Sequence, residues 1–350
     1  METSNIFEKN ENAGWLNFPA IRGVQAGREY YTAMVPFKHI PRIFVFDEYE
    51  IPPEMRAQRK LNTARIPKLV EYVVDNTDNY IFSALTASID GEMRFLESEK
   101  QSSIGELYIS LNATLVINDG QHRRAAIDEV LKLKPELAFE SIPVVFFVDL
   151  GLKKSQQMFA DLNKNAVRPS RSLNILYNVR DENAQKIMGI IDGVQIFKGN
   201  VELEKTSISK RSTKIFTLSS LYDACNYVYQ DVTNEKEMNR RTKLLIDYWN
   251  ALSEVILPWK RVFEGSIQTW QFREDFVCAH GILLESLGLL GRYLFENYPK
   301  NWKEKLTGLK DVEWFRNKDW EGVAMHNGRM VKSQDNILNS MNKIKEELGL

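Results

Sequence analysis

The spacing of apolar and polar positions changes period along the chain. Tyr30 to Val35 and Ile43 to Phe46 read as strands, with Pro36 and Pro41 between them. Residues 55–74 switch to helical spacing, in which Leu61, Ile66, Leu69, Val70 and Val73 form an interrupted apolar face. Pro67 starts a helix there, because its ring is tolerated in a first turn but not in an interior. Ile81 to Ile89 predicts a strand closed by the turn dipeptide Asp90-Gly91. Phe95, Ile104, Leu107, Ile109 and Leu111 are too scattered to place. Thr114 to Ile117 predicts a buried strand, Ala126, Ile127, Val130 and Leu131 one face of a helix, and Ile142 to Val148 a central strand. Lys153 to Leu162 reads as a helix followed by a polar turn, Asn163 to Ser170.

Beyond Leu173 the strand signals fade. Ile175 to Ile191, Leu218 to Tyr229, Met238 to Leu257, Phe272 to Phe295 and Ile337 to Leu348 all predict helices. The fold class is therefore α+β: a mixed sheet-and-helix domain over 23–172 and a mainly helical one over 173–350. Residues 1–22 carry few periodic apolar positions and read as an N-terminal arm, docked through Trp15, Phe18 and Ile21.

Composition narrows the class. With 350 residues, 43% of them hydrophobic, the chain can bury two ordinary cores. No apolar run approaches a membrane span, and Met-Glu-Thr-Ser-Asn-Ile-Phe-Glu-Lys lacks a signal peptide's basic and apolar regions, so a cytoplasmic protein with no membrane contact is expected. Cys225 and Cys278 lie too far apart for a clustered zinc motif and read as buried small hydrophobes. Net charge is −1, so any contact with nucleic acid must come from a local patch. Two patches qualify. Lys205, Lys210, Arg211 and Lys214 are interleaved with serine and threonine hydroxyls that suit phosphate oxygens; Arg240 and Arg241 head the second. Each is equally well read as an ordinary solvated face.

The most informative stretch runs from Ala113 to Ile127. A β-branched run stops at Gly120, and a helix opens on Gln121, His122, Arg123 and Arg124. Asn118 and Asp119 suit the turn and the helix N-cap. Free N–H groups and the positive end of the helix dipole favour a phosphate there, and an arginine fork adds bidentate bonds. Solvated arginines at a helix start would leave an unfavourable dipole interaction unexplained.

Asp119-Gly120-Gln121-His122-Arg123 is the motif of the DGQHR-domain family, a relative of the ParB/sulfiredoxin nucleotide-binding fold, and the chain resembles that family. Further stretches resemble its DndB branch, the regulatory proteins of bacterial DNA phosphorothioation clusters. They are Gly27 to Tyr31, Arg56 to Asn62, Ala87 to Gly91 and Phe159 to Ser170. The second half matches only in length and helical character. The resemblance implies a ParB/sulfiredoxin-like first domain with a phosphate site at Gly120, Gln121, His122, Arg123 and Arg124. It also implies that the polar turn returns toward that site and brings Asn163 and Arg168. A nucleotide, ATP or CTP with Mg2+, is the ligand it allows; no cofactor is required by the residues themselves.

Two functions stay open. One is a DNA-binding transcriptional repressor of a phosphorothioate-modification gene cluster, whose partners are double-stranded promoter or modified DNA and other phosphorothioation proteins, as a monomer or homodimer. The other is a ParB-like NTP hydrolase or DNA nickase of a phosphorothioation-based defence system, with His122 and Asp119 in catalytic roles. Catalysis has the weaker support. The chain has no Gly-X-Ser-X-Gly elbow, no His-Glu-X-X-His or paired Cys-X-X-Cys metal motif, no Walker A loop and only four histidines. Asp119 and Asp149 are candidate bases by position alone.

Overall fold

The computed structural model describes residues 14–44, 63–150, 154–164 and 169–350. The chain divides into two compact units, Met1–Val167 and Arg168–Leu350. No helix among the described residues is long and apolar enough to cross a membrane.

The first unit is a seven-stranded mixed sheet. In chain order it contains β1 (Trp15–Gln25), β2 (Arg28–Pro36), helix α1 (Ile66–Val74), β3 (Leu85–Asp90), β4 (Met93–Ser98), β5 (Gln101–Ser110) and β6 (Thr114–Asp119). Helix α2 (Gln121–Leu133), β7 (Ser141–Val148) and α3 (Ser155–Lys164) complete it. The strand order is β4-β5-β1-β2-β7-β3-β6; β3 and β7 are parallel and the other pairs antiparallel. Period-two alternation turns Tyr31, Ala33 and Val35 of β2 and Ile142, Val144 and Phe146 of β7 into one core. Val73 of α1 and Ile127 and Val130 of α2 pack against it. On the opposite face, Asn118 donates to Ser88 Oγ at 2.7 Å and accepts from Ser155 Oγ at 2.5 Å, so α3 meets β6 and β3 through a buried polar chain.

Two expectations change in this unit, and one stretch left unplaced is resolved. Trp15 to Arg22 is no surface arm but most of β1, an interior strand of the sheet. Its alternation rests on Phe18 and Ala20, both buried, and a small alanine with a neighbouring proline hides the period. The strand expected from Ile43 is a helical turn at Ile40–Ile43, with Pro41 in its first turn; 45–46 lie outside the described residues, as do 55–62 of the expected helix. The scattered residues around Ile104 form β4 and β5. Gly105 interrupts the apolar pattern because a Cβ there would sit 2.0 Å from the Leu96 carbonyl oxygen of the paired strand.

The second unit is mostly helical. It contains α4 (Arg171–Tyr177), α5 (Glu182–Gly193), short strands β8 (Val201–Glu202) and β9 (Phe216–Thr217), α6 (Leu218–Tyr229), α7 (Glu235–Val255) and α8 (Leu257–Phe263). Next come α9 (Thr269–Asp275), α10 (Gly281–Asn297) and α11 (Gln334–Glu347). Phe197, Phe216, Trp249 and Trp259 make an aromatic centre with ring centroids 5.1–6.5 Å apart. Cys225 and Cys278 are buried free thiols, and burial pushes the Cys225 thiol up to about 12.

Two expected helices are broken. Asp181 accepts from the Ala184 amide and so starts α5 afresh after α4. The run from Phe272 to Phe295 parts at Phe276, whose extended backbone pairs with Phe315; the Val277 amide donates to the Trp314 carbonyl and the Arg316 amide to the Asp275 carbonyl.

Candidate phosphate and nucleic-acid sites

Strand β6 is a sheet edge, and its last residue, Asp119, lies beside Thr86 at the start of β3. The chain turns there through Gly120, with φ +100°, and enters α2. A Cβ at Gly120 would sit 2.3 Å from Leu85 Cδ2 and 2.9 Å from Arg123 Nη2, so glycine is required by conformation and by space. Gly120, not Asn118 or Asp119, is the N-cap residue, and no side chain caps the helix. The first intrahelical bond runs from the Arg124 amide to the Gly120 carbonyl at 3.0 Å. The amides of Gln121, His122 and Arg123 precede it in the first turn, at the positive end of the helix dipole.

The side chains around this turn are engaged in holding it. Arg123 bonds Ser83 Oγ and the Ala84 carbonyl and pairs with Asp119 Oδ2 at 3.0 Å. Its guanidinium therefore fastens the start of α2 to the segment entering β3. Arg124 donates to the Pro41 carbonyl at 3.0 Å, and Gln121 to the Ile117 carbonyl at 3.4 Å. Each arginine has one shielded Nε with no partner among the described residues. His122 is half-buried.

Asp119 and Asp149 are not brought together. Asp119 lies beside Thr86, whereas the Asp149 amide bonds the Ile89 carbonyl on the other side of β3. They stand roughly 10 Å apart along the strand and about 10 Å across it. Asp149 instead accepts from the Lys154 amide, at 2.9 and 3.1 Å. Asn163 falls in α3, and Arg168 lies outside the described residues.

In the helical unit the two basic patches differ. Lys205, Lys210 and Arg211 are exposed and have no ion-pair partner among the described residues. Lys214 donates to the Gly199 carbonyl at 2.7 Å. Arg273, which no local pattern flags, binds the carbonyls of Ser209, Lys210, Ser212 and Lys214 at 2.6–3.2 Å and fixes the loop. Burial lowers the Arg273 pKa. Arg240 and Arg241 both pair with Glu237, holding its carboxyl down at about 2, and Arg241 also binds the Val228 and Gln230 carbonyls at the end of α6.

Together these features define a mixed α+β protein with a DGQHR turn at a sheet-edge helix start and a helical second unit that carries a pinned basic loop. The chain belongs to the DndB family, described as DNA-sulfur modification-associated, whose family model matches residues 18–350. No curated protein and no solved structure matches it.

Proposed function

We propose that the chain is a DNA-binding transcriptional regulator, a repressor, of a DNA phosphorothioate-modification gene cluster. The observation that carries this reading is the loop from Lys205 to Lys214. Arg273 holds its backbone through four carbonyl bonds, while Lys205, Lys210 and Arg211 remain exposed without ion-pair partners among the described residues. Cations held on a fixed loop lose little entropy on meeting phosphates and release condensed counterions from DNA. Family membership supplies the DNA-sulfur context. Lys214 serves a carbonyl, and Arg240 and Arg241 serve a carboxylate and carbonyls at the far end of α6, so they are less available to phosphate.

The DGQHR turn holds a phosphate, from nucleotide or DNA, at the uncapped start of α2 rather than through the Arg123 fork, which is occupied. The same uncapped helix start favours a second reading, slow NTP hydrolysis or DNA nicking, with His122 exchanging the proton.

Anisotropy titrations with cluster-promoter DNA and random DNA, run beside steady-state NTP hydrolysis and plasmid nicking, test the choice. Promoter preference without turnover supports the regulator, and His122→Gln retains it. Multiple-turnover cleavage that is lost in His122→Gln, with no promoter preference, overturns it.

A further inference from the structure

The basic loop also forms one wall of a cavity of about 710 Å3 within the helical unit. That volume lies in the range of small-molecule sites and is several times what an inorganic anion fills. Lys210, Arg211, Arg273 and Arg316 line it against a single carboxylate, Glu274. His280 and Gly281 place the start of α10 in the same wall, and no side chain caps that helix.

Arg316 is held in this wall by donating to the Glu274 and Gly328 carbonyls, and desolvation beside Arg316 and Arg273 lowers the His280 imidazole pKa to about 4, so His280 adds no charge at neutral pH. The wall also has an aromatic part. Trp270 is 49% exposed, while Trp249, Trp259, Trp302, Trp314 and Trp320 of this unit are buried.

We infer that this cavity binds a nucleoside phosphate. Lys210, Arg211 and the amide end of α10 take the phosphates, and Trp270 stacks on the base. An inorganic anion alone has no use for Trp270. The inference goes beyond the DNA reading and does not depend on it, since the ligand is a small molecule and the site is complete within one unit.

The full chain is titrated, without DNA, with ATP, GTP, CTP and UTP in turn and with inorganic phosphate, by calorimetry and tryptophan fluorescence. At least one nucleotide is expected to saturate in the micromolar range and to quench Trp270, with inorganic phosphate at least tenfold weaker. Trp270→Ala and the exposed pair Lys210→Ala/Arg211→Ala each weaken that nucleotide tenfold or more, whereas Lys236→Ala, an exposed lysine of α7, does not. Unchanged circular dichroism and melting show that the variants fold. The inference is overturned if no nucleotide saturates by millimolar concentration, if phosphate binds as tightly, or if the cavity variants bind like wild type. Loss of promoter binding would leave these outcomes untouched.

Discussion

Arg123 reaches back across Gly120 to Asp119, with 3.0 Å between Nη2 and Oδ2, while the same guanidinium holds Ser83 and the Ala84 carbonyl. Acid, glycine and base of the DGQHR motif thus form a brace between the sheet edge and α2.

That brace predicts a stability effect. Arg123→Ala should lower unfolding free energy by about 1–3 kcal/mol, because the Ser83 and Ala84 acceptors lose a charged donor, while the half-exposed Asp119 pair adds little. Gly120→Ala should cost a similar amount through its left-handed backbone and the Leu85 contact. Urea unfolding of both variants, with a phosphate-ligand titration, checks this. Full stability with abolished phosphate binding in Arg123→Ala would return Arg123 to the role of ligand.

Salt dependence reports on the loop. If Lys210 and Arg211 each neutralise one phosphate, replacing both by alanine should reduce the slope of log affinity against log salt by about 1.8, nearly equally on specific and random DNA. An unchanged slope would place the DNA face elsewhere.

Arg240 and Arg241 should separate despite being neighbours. Arg240 is exposed and, among the described residues, bonds only Glu237, so Arg240→Ala should change stability by less than about 1 kcal/mol. Arg241 also satisfies two carbonyls at the end of α6, and Arg241→Ala should cost about 1–2 kcal/mol. Thermal melts of the two variants decide it; equal losses would show that the α6 contacts carry no weight.

Acid should weaken the helical unit through His280. Burial lowers its folded-state pKa from 6.5 to about 4, so between those values the unfolded chain binds a proton that the folded chain refuses. Stability then rises with pH across this window, and the full penalty, on the order of 3 kcal/mol, is present below pH 4. Glu285, whose pKa burial raises, acts in the opposite direction. Urea unfolding from pH 4 to 7.5 should therefore be compared between wild type and His280→Gln; parallel profiles would remove His280 as the source.

Much of the architecture is local information. The periods of two and of 3.6 place β2, β6, β7, α2 and α6, because a half-buried strand or helix must repeat its apolar face at its own spacing. The Gly120 turn is visible for the same kind of reason: no other residue sits easily at a left-handed helix start. What resisted reading were β1, whose alternation leans on Ala20, and β4 with β5, where Gly105 answers to the Leu96 backbone across the sheet.

Partners were decided by the tertiary structure alone. Nothing near Arg123 in sequence announces Ser83, forty residues away, and nothing near Lys210 announces Arg273. Residue type shows that Arg123 carries a charge, but whether that charge meets a ligand or a carbonyl depends on which strands are neighbours. The break at Phe276 has the same origin, since Phe315 supplies a backbone partner that helical periodicity cannot reveal. Sequence spacing therefore determined the elements and the glycine turn. Long-range backbone pairing decided which basic groups serve the fold and which remain available to phosphate.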